Sequence, residues 1–190
     1  MREVHAETLW QNGWYGLAQK IESPNQDARA NGTAIDLVVI HAISLPPGKY
    51  GGDGIVQLFT NRLDPDADPY YAAIVGLKVS SHFLIRREGT LLQFVPVTRR
   101  AWHAGVSNWQ GRERCNDFSV GIELEGDDNT AFAAAQYATL QSLLIALGQE
   151  YPICAVTSHA HIAPGRKMDP GPCFDWAPVR AACPQFKIVP

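Results

Sequence analysis

Nowhere in the 190 residues is there an apolar run of about 18 residues, the length a membrane-spanning helix needs. The opening MREVHAETLWQNGWYG carries Glu3 and Glu7 and no continuous apolar segment, so no secretory leader is expected. The four cysteines, Cys115, Cys154, Cys173 and Cys183, form no CxxC pair, which argues against a zinc ribbon or a dithiol redox motif. Without an export signal they are expected to be reduced cytoplasmic thiols acting as buried or half-buried filler. Basic residues are scattered beyond the short pairs Arg86-Arg87 and Arg99-Arg100, and the formal net charge is −3. No basic stripe matches a phosphate backbone, so neither nucleic acid nor a membrane is the expected partner. Repeats, low-complexity tracts and linkers are also missing, and nothing specifies an oligomeric partner.

What is present is ordinary globular material: 46% hydrophobic and 18% charged residues. The length suits one domain spanning residues 1–190, with an irregular lead-in over 1–35 and a catalytic core over about 36–176. Asp36-Leu37-Val38-Val39-Ile40-His41 is a β-branched apolar run that reads as a buried central strand. Ile55–Phe59 suits a short helix, and a proline- and aspartate-rich loop covers the region around 61–73. Val79–Ile85 and Leu91–Val95 flank Glu88-Gly89 as a hairpin, and residues 101–115 read as a functional surface loop. Phe118–Glu125 is a strand whose alternation places Glu123 and Glu125 on one face. Phe132, Tyr137, Leu140, Leu144 and Leu147 recur at helical spacing, which predicts a helix over 131–149 capped by Thr130. A short strand over Ile153–Thr157 and a helix over about Phe174–Ala182 complete the chain. Interspersed strands and helices predict an α/β fold, a single domain with a central mixed sheet flanked by helices.

Six histidines are available for metal chemistry: His5, His41, His82, His103, His159 and His161. His41 closes the first predicted strand, and His159 follows the Ile153–Thr157 strand. Asp169 lies in a segment pinned by Pro164, Gly165, Pro170 and Gly171. Two imidazoles and a carboxylate form a three-ligand set that leaves a fourth zinc position for water. Such a site activates water and polarises a carbonyl, which is how zinc hydrolases cleave amides. Spacing alone leaves the choice open, because His161 competes with His159.

Four segments, VVIHAISLPPG, SSHFLIRREG, AWHAGVSNWQGRERCNDFSVGIELEG and SHAHIAPGRKMDPGPCFDW, carry a family likeness. In this order they resemble the successive blocks of the bacterial N-acetylmuramoyl-L-alanine amidases of the second type, from about Trp14 to Trp176. More narrowly, they are similar to the cytosolic members that act on anhydromuramoyl peptides. The resemblance implies zinc ligands at His41, His159 and Asp169, a catalytic carboxylate at Glu123 and a catalytic lysine at Lys167. On that reading Glu123 takes the proton of the attacking water and hands it to the leaving amine. Lys167 stabilises the oxyanion of the tetrahedral intermediate.

The resemblance also implies substrate contacts. Trp102 and His103 fall in the segment similar to the family's sugar-binding wall, and Arg114 and Lys78 would meet stem-peptide carboxylates. Asn116 would hydrogen-bond the same ligand, while His82 is expected to be structural. Three positions depart from the pattern: Ala42 in place of asparagine, Lys78 in place of arginine, and Met168 where a small polar residue is usual. The expected activity is zinc-dependent cleavage of small anhydromuropeptides in cell-wall recycling. The alternatives are an amidase of intact peptidoglycan and a non-catalytic peptidoglycan-recognition module.

Overall fold

The computed structural model describes residues 9–190. His5 and the first half of the stretch read for a leader lie outside the described residues. Seven strands build the main sheet: β1 Gln19–Lys20, β2 Leu37–Ile43, β3 Phe83–Ile85, β4 Leu91–Gln93, β5 Ser119–Glu125, β6 Ala155–Ser158 and β7 Lys187–Val189. Across the sheet they run β7-β6-β2-β5-β3-β4-β1. Every neighbouring pair is parallel except the β3–β4 hairpin, giving the mixed sheet that the sequence predicts. The helices are α1 Gly54–Phe59, α2 Pro69–Ile74, α3 Ala134–Glu150, α4 His159–Ile162 and α5 Ala177–Ala182.

The two central strands are apolar because both of their faces are covered. Val38 and Ile40 of β2, with Val120, Ile122 and Leu124 of β5, pack into one cluster with Leu140, Leu143, Leu144 and Leu147 of α3. Leu37 and Val39 point to the opposite face and meet Ala104, Trp109, Phe118 and Ile162. The period-two alternation then assigns His41 and Glu123 to that second face, away from α3. Pairing between β2 and β5 sets His41 directly opposite Glu123. Pairing between β2 and β6 sets Ile40 opposite Ser158, so His159 emerges beside His41.

Several expectations need correction. The long helix begins after Ala133, because the Asp127 carboxylate accepts the Thr130 N–H (2.9 Å) and holds that residue in a preceding turn. Phe132 is buried but lies before the helix. The lead-in is not merely irregular: it supplies β1 at the sheet edge and Gln26–Ala28, which pairs with Arg99–Ala101. Strands of two or three residues are too short for an alternation signal. The loop around 61–73 contains the first part of α2, where Asp68 accepts the Tyr70 N–H (2.9 Å) ahead of Pro69. The last predicted helix starts at Ala177, and β7 has no sequence counterpart. Cys115 and Cys183 are buried and Cys173 is half-buried, but Cys154 is exposed just before β6; all four thiols are free.

Gln136 joins the long helix to the sheet. Its Oε1 accepts the Ala133 N–H (3.0 Å), while Nε2 donates to the carbonyls of Ile85 (3.2 Å) and Glu125 (3.0 Å). The side chain is fully buried, so water cannot replace these partners. Gln136→Leu keeps the volume and strands three backbone groups. It is expected to cost about 2 kcal/mol or more, lowering Tm by roughly 4–8 °C in thermal unfolding followed by circular dichroism.

Candidate metal centre and active site

Three donor atoms converge where β2, β6 and the segment after α4 meet. His41 Nδ1 lies 3.0 Å from His159 Nδ1 and 3.0 Å from Asp169 Oδ2, and His159 Nδ1 lies 3.0 Å from the same Oδ2. Ring-proton positions follow from the remaining partners. His159 Nε2 faces the Ala104 carbonyl at 3.1 Å and must donate to it, which leaves the Nδ1 lone pair turned inward. Both imidazoles are almost completely buried. Burial is the main cause that lowers the His41 pKa to about 4, against the opposing pull of Asp169, so the ring is neutral at pH 7. Two imidazole lone pairs and a carboxylate facing one another at this spacing repel unless a cation lies between them. An ion with bonds of about 2.0–2.1 Å can touch all three donors, and the N,N,O set with an open side suits zinc.

The register selects His159 over His161. His161 is exposed: its N–H is capped by Ser158 Oγ at 3.0 Å, and its ring lies against Trp109. Glu123 sits next to His41 on β5 and is buried, with Oε2 lacking any hydrogen-bond partner. Burial first, then the charge of Asp169, push its carboxyl well above the usual range, while Lys167 pulls the other way. A cavity of about 340 Å³ opens onto these groups, lined by His41, Glu123, His159, Lys167, Asp169 and Trp102 among others. Lys167 is exposed, two residues before Asp169. The lining also includes Leu58, Phe59, Tyr70 and Leu77. These wall residues are missing from the sequence-based site, though the Asp68-Pro69 cap marks the helix that carries Tyr70.

The expected substrate contacts are placed in different ways. Trp102 lines the cavity, while its indole N–H is buried. His103 is buried behind His41, with Nδ1 3.0 Å from His41 Nε2. Asn116 spends its side-chain oxygen on the N–H groups of His103 (3.1 Å) and Ala104 (2.8 Å), clamping that loop. Arg114 pairs with Asp117 at 3.2 Å and lines a second cavity of about 600 Å³ with Glu113 and Arg166. Lys78 is exposed outside the cavity lining, although its neighbours Leu77 and Val79 line it. His82 has the expected structural role: Nδ1 accepts the Gly121 N–H (3.0 Å) and Nε2 donates to the Arg99 carbonyl (3.0 Å). Arg29, from the lead-in, donates to the carbonyls of Val97, Asn116, Asp117 and Ser119 and pins the loop beneath the site.

A three-donor cluster beside an unpaired buried carboxylate, at the carboxyl ends of parallel strands, can hold a divalent ion and serve hydrolysis. Residues 31–172 match the N-acetylmuramoyl-L-alanine amidase family. The chain is 54% identical over 175 residues to the 1,6-anhydro-N-acetylmuramyl-L-alanine amidase AmpD of Citrobacter freundii, covering 91% of this chain and 94% of that protein. The crystal structure of a selenomethionine AmpD derivative superposes with a TM-score of 0.88 at 53% identity, covering 90% of this chain and 97% of that one. The amidase AmiD from Escherichia coli, in complex with anhydro-N-acetylmuramic acid-L-Ala-D-γ-Glu-L-Lys, matches with a TM-score of 0.58 at 30% identity, covering 84% and 61%. The chain belongs to the N-acetylmuramoyl-L-alanine amidase family and is an enzyme of that class.

Burying Glu123 has a thermodynamic signature. A group with a raised folded pKa stabilises in its protonated form, and that contribution is lost as pH climbs through the folded value. Metal-free Glu123→Gln is therefore expected to melt a few degrees above its parent at about pH 8, with the difference vanishing near pH 4. Differential scanning calorimetry of both proteins checks this, and a difference independent of pH contradicts it.

Proposed function

We propose that this protein is a zinc-dependent amidase that cleaves the bond between 1,6-anhydro-N-acetylmuramic acid and L-alanine in cytoplasmic muropeptides, acting as one domain in cell-wall recycling. The observation that carries the reading is the set of three donors at 3.0 Å spacing beside the unpaired Glu123 carboxylate. The likeness to AmpD supports the substrate, and the bound ligand of AmiD supports a small muropeptide in the cavity. The four free thiols fit a reducing compartment. Among the described residues, no helix is long and apolar enough to cross a membrane.

His41, His159 and Asp169 would hold the zinc ion. When bound, it supplies Lewis acidity that makes water nucleophilic near neutral pH and polarises the scissile carbonyl. Glu123 removes the proton of the attacking water and delivers it to the departing alanine nitrogen, so one group serves as base and then as acid. Glu123 lines the cavity, where its carboxyl group can meet that proton. Lys167, at the exposed edge of the cavity, places an ammonium beside the developing oxyanion. The indole of Trp102 offers a flat face for the sugar. Arg114 and Lys78 would act on peptide carboxylates beyond the cavity lining, reached by the extended stem. Asn116 and His103 would support that wall.

Glu123→Ala should retain stoichiometric zinc while turnover falls by roughly two or more orders of magnitude. Asp169→Ala should lose zinc and activity together, because a ligand is gone. Metal analysis by plasma mass spectrometry beside product assays checks both; near-parental turnover in Glu123→Ala removes that residue from the mechanism. Incubation with anhydromuropeptide and with intact sacculi, read by mass spectrometry, tests the substrate. Fast release from the small ligand is expected, and strong release of stem peptides from sacculi defeats the recycling reading.

A further inference from the structure

The histidine behind the metal-site imidazole belongs to a chain of hydrogen bonds with a single direction. At its far end, the Ser119 hydroxyl lies 2.5 Å from the Cys115 carbonyl, which can only accept. The hydroxyl proton is thereby committed, and Ser119 Oγ presents a lone pair to His103 Nε2 at 3.2 Å. His103 must donate at Nε2 and, with one proton on the ring, accept at Nδ1. Its Nδ1 lies 3.0 Å from His41 Nε2, so His41 donates there. The His41 Nδ1 lone pair is then left facing His159 and Asp169.

The surroundings hold this chain in place. Ser119, His103 and His41 are all buried, which keeps water from offering rival partners. Asn116 grips the backbone on both sides of the His103 peptide. On β5, Gly121 leaves room for the ring: a Cβ there would stand 2.5 Å from the His103 ring carbon Cγ. The glycine is required by a side chain lying on the strand, not by a turn.

We propose that His103 and Ser119 are positioning residues that select the Nε2-protonated tautomer of His41 and so prepare its Nδ1 for the metal. The metal part rests on the zinc reading above; the tautomer part does not. A ligand aimed by such partners is expected to bind metal about 10–100-fold more tightly than one left free to choose its tautomer.

The test uses the full-length protein, first chelated and then titrated with zinc. Long-range 1H–15N correlation spectra of the chelated protein report each histidine tautomer, and competition with a chromophoric chelator reports zinc affinity. The chelated parent should show His41 protonated at Nε2, and Ser119→Ala should show a mixture of tautomers with about 10–100-fold weaker zinc binding. His103→Asn keeps an acceptor near the Nδ1 position and should bind zinc close to the parental affinity. His103→Leu fills the space without an acceptor and should bind about 10–100-fold more weakly. A purely space-filling role predicts the reverse order of those two variants. Parental affinity in His103→Leu, or His41 protonated at Nδ1 in the chelated parent, overturns the proposal. If the parent and His41→Ala bind zinc equally weakly, the metal reading falls while the spectra still decide the tautomer.

Discussion

Parallel pairing of β6, β2 and β5 puts three consecutive strand ends at one level, and the chemistry follows from that register. Ser158 is level with Ile40, and His41 is level with Glu123. Every residue just past the buried apolar segments therefore emerges along one edge of the sheet, where side chains of adjacent strands are a few ångströms apart. A slip of one residue would turn His41 or Glu123 towards α3, into the cluster occupied by Ile40 and Ile122. The core on the α3 side and the donors on the other face are thus specified by the same alternation. Stability and site geometry cannot be varied independently along these strands.

The edge is electrostatically unfavourable as a packing arrangement. Two imidazoles turn ring nitrogens towards a carboxylate, and a second carboxyl group is buried beside them, its Oε2 without a hydrogen-bond partner among the described residues. Buried polar groups in that condition cost free energy that the apolar clusters on both faces must offset. Three groups directly behind the donors are, by contrast, paired. Ala104 accepts from His159, Asn116 holds the following loop, and Ser119 ends the hydrogen-bond chain at a backbone carbonyl. Lone pairs face one another at the donors while their supports are hydrogen-bonded, the pattern expected where a bound cation completes the structure.

Much of this was legible along the chain. The apolar runs ending in His41 and Glu123 announce buried strands with chemistry at their tips, and the alternation places Glu123 and Glu125 on one face. The β3–β4 hairpin is evident from Glu88-Gly89, and the α3 stripe from its leucine spacing. The start of α3 was not, because Asp127 captures the Thr130 N–H through a local turn that periodicity does not report. Two-residue strands in the lead-in escaped for a related reason: their order comes from sheet neighbours, not from pattern.

Local sequence information therefore specified the element types, the residue chemistry and the buried face, since those follow from side-chain period and backbone preference over a few residues. It left His159 and His161 as equals, and it assigned His103 to the substrate. Strand register resolved the first by aiming only His159 at His41. Loop packing placed His103 behind the donors, and the same packing set Arg114 on a separate cavity. Such choices rest on partners 50 to 130 positions distant, as in the His41–Asp169 contact at a separation of 128 residues. Only the folded chain brings those atoms within hydrogen-bond reach.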